Sequence, residues 1–427
     1  FINLGGKLVL SISPELFFEI NNKKIITRPM KGTIRRGINL DEDAELAQKL
    51  SNSGKDKAEN VMIVDLLRND FGRISEFGSV KVQSLFDIER YESVFQMTSA
   101  IEADLRDISF KQILENVFPC GSITGAPKIR TMEIIKEMEK EERGIYTGSI
   151  GFVDGDKATL NVAIRTIVLN KDSLEGEMGL GGGIVWDSCA GKEYGEAELK
   201  GKFLTRQDKQ FRLIETLLVE KGNYFLLDEH LNRLEKSAAY FLFNFNRKIF
   251  FEDLNKLKLE LTKEKSYKIR VELSKSGRME FSHSEVIESR QPVRARISEN
   301  KVNSRNKFQY FKTTERDLYN LEHNEGAAGG FFDTLFLNEN EELTEGAITN
   351  LFILKKGEWY TPEIKSGLLA GCFRDLFIKQ RGAKEISLKI PDLNDAERVI
   401  LVNSVRKEVP VSEIWYNGGI IWRHKGG

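Results

Sequence analysis

The chain has 427 residues, of which 40% are hydrophobic, and its 64 basic and 65 acidic side chains nearly cancel. A length well above the roughly 250 residues at which single cores stop growing predicts at least two domains. No long block of one charge is present, which argues against nucleic acid or a membrane surface as a partner and favours small molecules. The three cysteines form neither a disulfide framework nor a zinc pattern, so we expect a cytoplasmic protein.

The N-terminal end carries no targeting signal in the sequence. No apolar run reaches the ~18 residues of a membrane-spanning helix, and no basic segment with a cleavage site is visible. The chain opens on Phe1 directly into an apolar, strand-like segment. We therefore expect that the natural N-terminus is missing.

The first predicted elements are strands at 7–12 and 16–27, the second interrupted by a turn at Asn21-Asn22. Glu15 and Lys31 then lie near the same open end of one hairpin. Apolar spacing and glycine punctuation predict helices, with strands between them, at 56–70, 127–140 and 193–200.

A polar, charged stretch at 200–210 has no apolar pattern and is the predicted linker. It divides the chain into domains at 1–200 and 211–427. After it we predict a strand near 211–219 and then a capped amphipathic helix, DEHLNRLEKSAAYFLF.

Acid, base and anion-binding groups gather in the first domain. Glu15 in SPELF and Lys31 in RPMKGT form a potential acid/base and nucleophile pair, although a solvated hairpin edge explains the same charges. Glu193 and Glu196 share a helix face and, with Glu59 on another predicted helix, offer carboxylates to an ion such as Mg2+. An acidic solvent face is the alternative.

Two glycine-rich turns, CGSITGAPK and GLGGGIVWDS, allow backbone amides to approach an anion, and Lys128 adds charge beside the first. Either is equally well explained as a tight turn. Arg165, in NVAIRT, is predicted within an apolar strand, where a buried guanidinium needs a carboxylate partner. A structural salt bridge explains it as well.

The motifs of residues 1–200, taken in chain order, resemble those of the chorismate-utilising enzymes. That resemblance implies an α+β fold of antiparallel sheets flanked by helices, incomplete at its N-terminus. It implies Glu15 as the general acid/base and Mg2+ ligands at Glu59, Glu193 and Glu196. It further implies a chorismate site formed by Gly125, Lys128, Tyr146, Arg165, Gly182 and Gly183.

Lys31 separates two subfamilies of these enzymes. Anthranilate synthases resemble this segment but carry alanine in PIAGT, whereas aminodeoxychorismate synthases carry a lysine, which here stands in PMKGT. The resemblance implies that the Lys31 amine attacks the ring while Mg2+ helps expel the C4 hydroxyl, after which ammonia adds at C4.

The C-terminal half offers Lys312 in YFKTTERDLYN and Glu345 in LTEGAITNLF. A lysine between aromatic residues is often only a surface side chain. However, the EGxxxNLF pattern and its surroundings resemble the class IV pyridoxal-phosphate enzymes, which implies a two-subdomain fold like that of D-amino-acid aminotransferase. Lys312 then bonds the cofactor and moves protons, and Glu345 pairs with the pyridine nitrogen. The implied ligands of phosphate and substrate are Arg233, Cys372, Phe373, Asn403, Ser404 and Arg406.

The two resemblances together imply synthesis of 4-aminobenzoate: amination of chorismate, then elimination of pyruvate with pyridoxal phosphate. We expect ammonia from a glutamine amidotransferase subunit and a homodimer formed through the C-terminal domain. Two alternatives stay open. The C-terminal half could act as an aminotransferase, and the first half could be an inactive scaffold.

Overall fold

The computed structural model describes residues 1–186, 188–201, 204, 210–287 and 291–424. The chain divides into two units, one comprising Phe1–Arg36 and Ala44–Asp208, the other Gly37–Asp43 and Lys209–Gly427. Each unit buries hydrophobic cores of its own. Most of the predicted linker at 200–210 lies outside the described residues.

The strands of the first unit pair in an antiparallel manner throughout the described residues. They are β1 (Ile2–Asn3), β2 (Lys7–Ser11), β3 (Leu16–Asn21), β4 (Lys24–Arg28), β5 (Met30–Arg35), β6 (Lys81–Arg90), β7 (Val94–Asp104), β8 (Ser149–Asp154), β9 (Lys157–Val162), β10 (Thr166–Asn170) and β11 (Gly176–Met178). One sheet has the order β1-β2-β10-β11, and the other has the order β5-β7-β4-β3-β9-β8 with β6 also paired to β7.

The helices along this part of the chain are α1 (Leu40–Ser51), α2 (Gly54–Gly72), α3 (Phe110–Val117), α4 (Gly121–Thr124), α5 (Lys128–Met138) and α6 (Ala190–Gly201). The hydroxyl of Ser53 caps α2 by accepting from the amide of Asp56 at 3.2 Å. α2 buries Ile63, Leu67 and Phe71, which recur every four residues, in the core beneath the larger sheet.

In the second unit, the strands are β12 (Leu213–Glu220), β13 (Asn223–Phe225), β14 (Tyr267–Leu273), β15 (Met279–Glu285), β16 (Val293–Ile297), β17 (Asp333–Leu337), β18 (Leu343–Gly346), β19 (Asn350–Lys355), β20 (Glu358–Pro362), β21 (Lys384–Ile386), β22 (Arg398–Asn403), β23 (Lys407–Tyr416) and β24 (Gly419–Arg423). The helices are α7 (Leu227–Phe241), α8 (Arg247–Glu260), α9 (Asp317–Ala328), α10 (Cys372–Arg381) and α11 (Ile390–Asn394).

These strands form two sheets. The first has the order β13-β12-β14-β15, and the second runs β18-β17-β16-β23-β22-β19-β20-β21, with β24 on β23. β16 pairs in parallel with β17 and β23, and β20 pairs in parallel with β21. The second sheet therefore mixes parallel and antiparallel neighbours.

The predicted N-terminal hairpin is confirmed: β3 and β4 pair with Asn21 opposite Lys24, and Asn22 adopts a positive φ of 56° in the turn. The predicted side-chain cap of the DEHLNRLEKSA helix is wrong. α7 starts after Leu226, which has a left-handed backbone and no capping side chain, while Asp228 lies in the first turn. Among the described helices, none combines the length and the apolar character needed to cross a membrane.

Candidate active sites

Glu15 and Lys31 are joined through one serine. The hydroxyl of Ser122 on α4 donates to Oε1 of Glu15 at 2.5 Å, and Nζ of Lys31 on β5 donates to the Ser122 carbonyl at 3.1 Å. Glu15 is buried, and burial raises the pKa of its carboxyl, with Ser122 and Lys31 acting in the opposite direction. A carboxyl that holds its proton to higher pH is suited to general acid chemistry.

Ser122 was missed by sequence reasoning. Its segment, CGSITGAPK, was selected for its glycines, and nothing local marks the hydroxyl as a partner of Glu15, 107 residues away. The one sequence signal for Ser122 is that it stands inside the glycine-rich segment that is predicted to approach an anion.

Lys128 has a charge partner in the fold. Its Nζ lies 2.6 Å from Oδ2 of Asp70 on α2 and donates to the carbonyl of Val117 at 3.1 Å. Burial raises the pKa of Asp70, with Lys128 acting in the opposite direction. The positive charge predicted at this turn is thus balanced by a buried carboxylate.

Two of the three predicted metal ligands, Glu193 and Glu196, lie near Gly182. A Cβ at Gly182 would lie 3.4 Å from Oε2 of Glu193 and 3.9 Å from Oε1 of Glu196, both on α6. Each carboxylate already has a partner: Ser188 donates to Glu193 at 2.8 Å, and Lys200 lies 2.8 Å from Glu196.

Glu59 is not part of that group. It lies on α2 with its Oε1 3.9 Å from Nζ of Lys55. Within the described ranges, no three His, Cys, Asp or Glu side chains are arranged to hold a metal ion. Glu59, Glu193 and Glu196 therefore do not form one metal centre in this conformation.

Tyr146 packs against the second glycine-rich segment. A Cβ at Gly179 would lie 2.2 Å from the Tyr146 ring and one at Gly181 would lie 2.8 Å from its hydroxyl, so only glycine allows this approach. Gly125, in the first turn, has a φ of 127°, a conformation that favours glycine. A Cβ at Gly183 would meet no atom within 4 Å.

The predicted environment of Arg165 is wrong. The residue is exposed and lies between β9 and β10 with a positive φ of 47°, not buried within a strand. Its carbonyl accepts from the amide of Ile12 at 3.1 Å. An exposed guanidinium in a bend is solvated, so it does not need the carboxylate partner that the sequence pattern suggested.

The second unit contains a cavity of about 500 Å³. It is lined by every residue predicted to hold the cofactor or substrate of the C-terminal half: Arg233, Lys312, Glu345, Cys372, Phe373, Asn403, Ser404 and Arg406. These side chains come from segments spread over some 170 residues of sequence, and the fold brings them to one space.

Lys312 lies just before α9, and its carbonyl accepts from the amide of Ile214 on β12 at 2.8 Å. Burial lowers the pKa of its amine to about 7, and the neighbouring charges of Arg316 and Arg233 act in the same direction. A large fraction of the amine is therefore neutral near pH 7, the form that attacks a carbonyl carbon.

Glu345 lies on β18 and lines the cavity. The hydroxyl of Tyr319 donates to it at 3.3 Å and the side-chain amide of Asn350 donates at 3.2 Å. Burial raises the pKa of Glu345 to about 8, against the opposing effect of the Arg316 and Lys312 charges. The carboxyl is thus poised to ionise when a positive charge is placed beside it.

Arg233 on α7 is held by Glu215 on β12. Its Nε and Nη2 donate to the two carboxylate oxygens of Glu215 at 2.9 and 2.6 Å, and Nη1 donates to the Ala370 carbonyl at 3.3 Å. α10 begins at Cys372, after an N-cap, Gly371, that supplies no capping side chain. The amides of a helix start attract anions, so this end of the cavity suits a phosphate.

The loop after β22 lines the cavity. Oδ1 of Asn403 accepts from the amides of Val405 and Arg406 at 3.0 and 2.7 Å, which fixes the turn, and Ser404 is buried within it. The Arg406 guanidinium donates to the carbonyl of Ile287. Arg406 is therefore anchored at the cavity wall.

Residues 1–206 match the family of chorismate binding enzymes, and residues 212–414 match the class IV amino-transferase family. An aminodeoxychorismate synthase component 1 from Salmonella typhimurium is 46% identical over 198 residues, 46% of this chain and 43% of the relative. An anthranilate synthase component 1 from Haloarcula marismortui is 43% identical over 230 residues, 53% of this chain and 44% of the relative. The chain thus spans less than half the length of either relative.

For the C-terminal part, a solved branched-chain aminotransferase from Thermoproteus uzoniensis is 20% identical with a TM-score of 0.44, covering 51% of this chain and 81% of that structure. The sequence relatives of the N-terminal part are named as anthranilate synthases and as aminodeoxychorismate synthases.

Proposed function

Because the chain joins a chorismate binding enzyme domain to a class IV amino-transferase domain, we propose that it carries out two consecutive steps of 4-aminobenzoate synthesis. The first aminates chorismate at C4, and the second eliminates pyruvate from that product. The observation that carries the first step is the link between Glu15 and Lys31 through Ser122. It supports a lysine-dependent amination, because Lys31 stands where anthranilate synthases carry an alanine.

In the first step, Lys31 supplies an amine to the ring and Glu15 supplies the proton that the departing C4 hydroxyl requires. Ammonia then adds at C4 as the bond between the ring and the lysine nitrogen breaks, which releases Lys31 as a free amine. The proton that the added ammonia gives up returns to Glu15. Chorismate binding enzymes use Mg2+. Within the described residues, Glu59, Glu193 and Glu196 do not form a group that fits this ion, so the step is assigned to the side chains of the protein alone.

Pyridoxal phosphate fits the cavity of the second unit. The partly neutral Lys312 amine suits its aldehyde, the titratable Glu345 suits its pyridine nitrogen, and the start of α10 suits its phosphate. When bound, the cofactor supplies an electron sink for the carbon that loses a proton. Lys312 takes that proton and Glu345 stabilises positive charge on the ring nitrogen, while Arg406 binds a substrate carboxylate.

We further propose a separate glutamine amidotransferase as the source of ammonia, in line with the words "component 1" in the names of the relatives. A homodimer through the C-terminal domain and a cytoplasmic location belong to the same proposal. The three free cysteines support that location.

The test incubates the full chain with chorismate, ammonium, Mg2+ and pyridoxal phosphate, and compares wild type with Lys312→Ala. Wild type is expected to release 4-aminobenzoate and pyruvate. Lys312→Ala is expected to consume chorismate at the parent rate, to accumulate the aminated intermediate, and to lose the absorbance band of the bound cofactor. An aminotransferase would instead pass the amino group to 2-oxoglutarate, and a scaffold would leave chorismate unchanged.

A further inference from the structure

Glu215 and His230 have no role in the two proposed steps, although they form a buried ionic group with Arg233 in the second unit. Oε2 of Glu215 lies 2.7 Å from Nδ1 of His230 and 2.6 Å from Nη2 of Arg233, and Oε1 accepts from Nε of Arg233 at 2.9 Å. Glu215 and His230 are 1% and 2% exposed. The carboxylate therefore accepts three N–H groups while excluded from water.

His230 keeps one polar atom without a partner. Its Nε2 is buried and makes no hydrogen bond to any part of the chain that the structure describes, and His230 is one of the residues that line the 500 Å³ cavity. A buried polar atom without a partner destabilises the fold, because it has lost its hydrogen bonds to water. A ligand that supplies the missing hydrogen bond would remove this destabilisation, so Nε2 marks a ligand position.

The contact with Glu215 determines which nitrogen of His230 carries hydrogen. Although burial acts to raise the pKa of Glu215, Arg233 and His230 lower it to about 2, so the carboxylate is ionised and only accepts. Nδ1 must then be the donor, and the neutral ring presents a lone pair at Nε2. Burial lowers the pKa of His230, and Glu215 acts in the opposite direction. Negative charge arriving at Nε2 would favour the doubly protonated ring.

The surroundings of His230 favour an anion. Cys372 and Phe373, which open α10, line the same cavity, and the amides at a helix start attract dianions. Arg233 connects the group to this helix start through the carbonyl of Ala370. Glu215 neutralises the charge of Arg233. A second positive group beside the anion is therefore not repelled by an uncompensated guanidinium.

We propose that His230 is a proton-coupled anion ligand: when a dianion such as a phosphate monoester binds at the start of α10, the imidazole takes a proton from solvent at Nε2. The new N–H then donates a hydrogen bond to the anion. Glu215 then holds the charged ring as an ion pair, and no other covalent bond forms or breaks. The inference rests on the proposed function only where the dianion is identified with the phosphate of pyridoxal phosphate.

Other titratable groups influence the same space and must be separated from His230. They are Glu215 on β12, Arg233 on α7, Lys312 before α9, Glu345 on β18, and Cys372 and Asp375 on α10. Burial lowers the pKa of Lys312 to about 7, so an anion also favours its protonation. Burial raises the pKa of Cys372 to about 11, so its thiol stays protonated at neutral pH. Lys312 is therefore the group to remove in a control.

The first measurement uses the 427-residue chain, 15N-labelled histidine and inorganic sulfate, which remains a dianion at neutral pH. The chain has four histidines, so the His230→Gln spectrum assigns the resonance, and His283→Gln, at an exposed position on β15, is the matched control. Without sulfate, His230 is expected to show the neutral ring protonated at Nδ1. With saturating sulfate it should show both nitrogens protonated, and a ring that stays neutral would overturn the proposal.

The second measurement is calorimetric titration of sulfate in two buffers of different ionisation enthalpy at pH 7. Lys312→Ala is expected to take up close to one proton per sulfate and to bind up to tenfold more tightly for each pH unit lowered. Lys312→Ala/His230→Gln should take up none and show a flat pH profile. Equal proton uptake by the two variants would contradict the role of His230. No turnover is measured, so failure here is distinct from failure of the proposed reactions.

Discussion

Glu215→Gln should destabilise the second unit strongly at neutral pH and much less in acid. The variant leaves the Arg233 charge buried without its counter-ion, and breaking a buried ion pair in this way costs about 3–5 kcal/mol. For a unit of this size, such a loss lowers the midpoint of thermal unfolding by roughly 6–20 °C.

The pH dependence follows from the pKa of Glu215, which Arg233 and His230 lower to about 2 against the effect of burial. A lowered carboxyl pKa stabilises the fold above the ordinary pKa of the unfolded chain, and this stabilisation is lost as pH falls toward 2. The lowered pKa of Glu215 contributes about 3 kcal/mol to the free energy of unfolding at neutral pH, and about 2 kcal/mol of this is lost by pH 3. The gap between variant and wild type should shrink by that amount.

The assay is scanning calorimetry of the full chain at pH 7 and pH 3, with Glu220→Gln as the matched control. Glu220 lies on the same strand and pairs with Lys407 at the surface, a contact worth at most about 1 kcal/mol. Our reasoning is wrong if Glu215→Gln is as mild as Glu220→Gln, or if its cost is equal at the two pH values.

Three further changes test separate parts of the two sites. Lys31→Ala should abolish amination at C4 or divert the first unit toward 2-aminobenzoate, and chromatography showing the parent rate of C4 amination would exclude Lys31 as the nucleophile. Glu345→Gln should raise the unfolding midpoint of the cofactor-free chain at pH 9. Burial raises the pKa of Glu345 to about 8, so the wild-type fold loses stability as pH rises from about 4.5 to 8. Fluorescence titration should nevertheless show that the variant binds pyridoxal phosphate more weakly. Lys128→Met should cost about 3–5 kcal/mol by leaving Asp70 unpaired, and Asp70→Asn/Lys128→Met should recover part of it in urea unfolding; additive losses would argue against the pair.

Local patterns predicted the elements that local forces determine. The β3–β4 hairpin follows from its Asn-Asn turn, and α2 and α5 follow from apolar residues at helical spacing. The predicted helix at 193–200 lies within α6, which begins three residues earlier at Ala190. The ends of helices depend on caps and neighbouring chain, which periodicity does not encode.

The parts of the sites that sequence reasoning missed depend on contacts distant in sequence. Ser122 meets Glu15 across 107 residues, and Lys128 meets Asp70 across 58. The amphipathic pattern of α7 does not reveal the contact of His230, since its partner Glu215 lies on β12. Arg165 was misplaced because the apolar residues before it continue a strand pattern that ends at Val162.

The central claim is that one chain turns chorismate and ammonia into 4-aminobenzoate, and isotope incorporation tests it most directly. The full chain is incubated with chorismate, 15N-ammonium, Mg2+ and pyridoxal phosphate, and the products are analysed by mass spectrometry. We predict 4-aminobenzoate carrying one 15N atom, with one pyruvate released for each molecule. Recovery of only 2-aminobenzoate, or of no aromatic amine while both cofactors are present, would contradict the account.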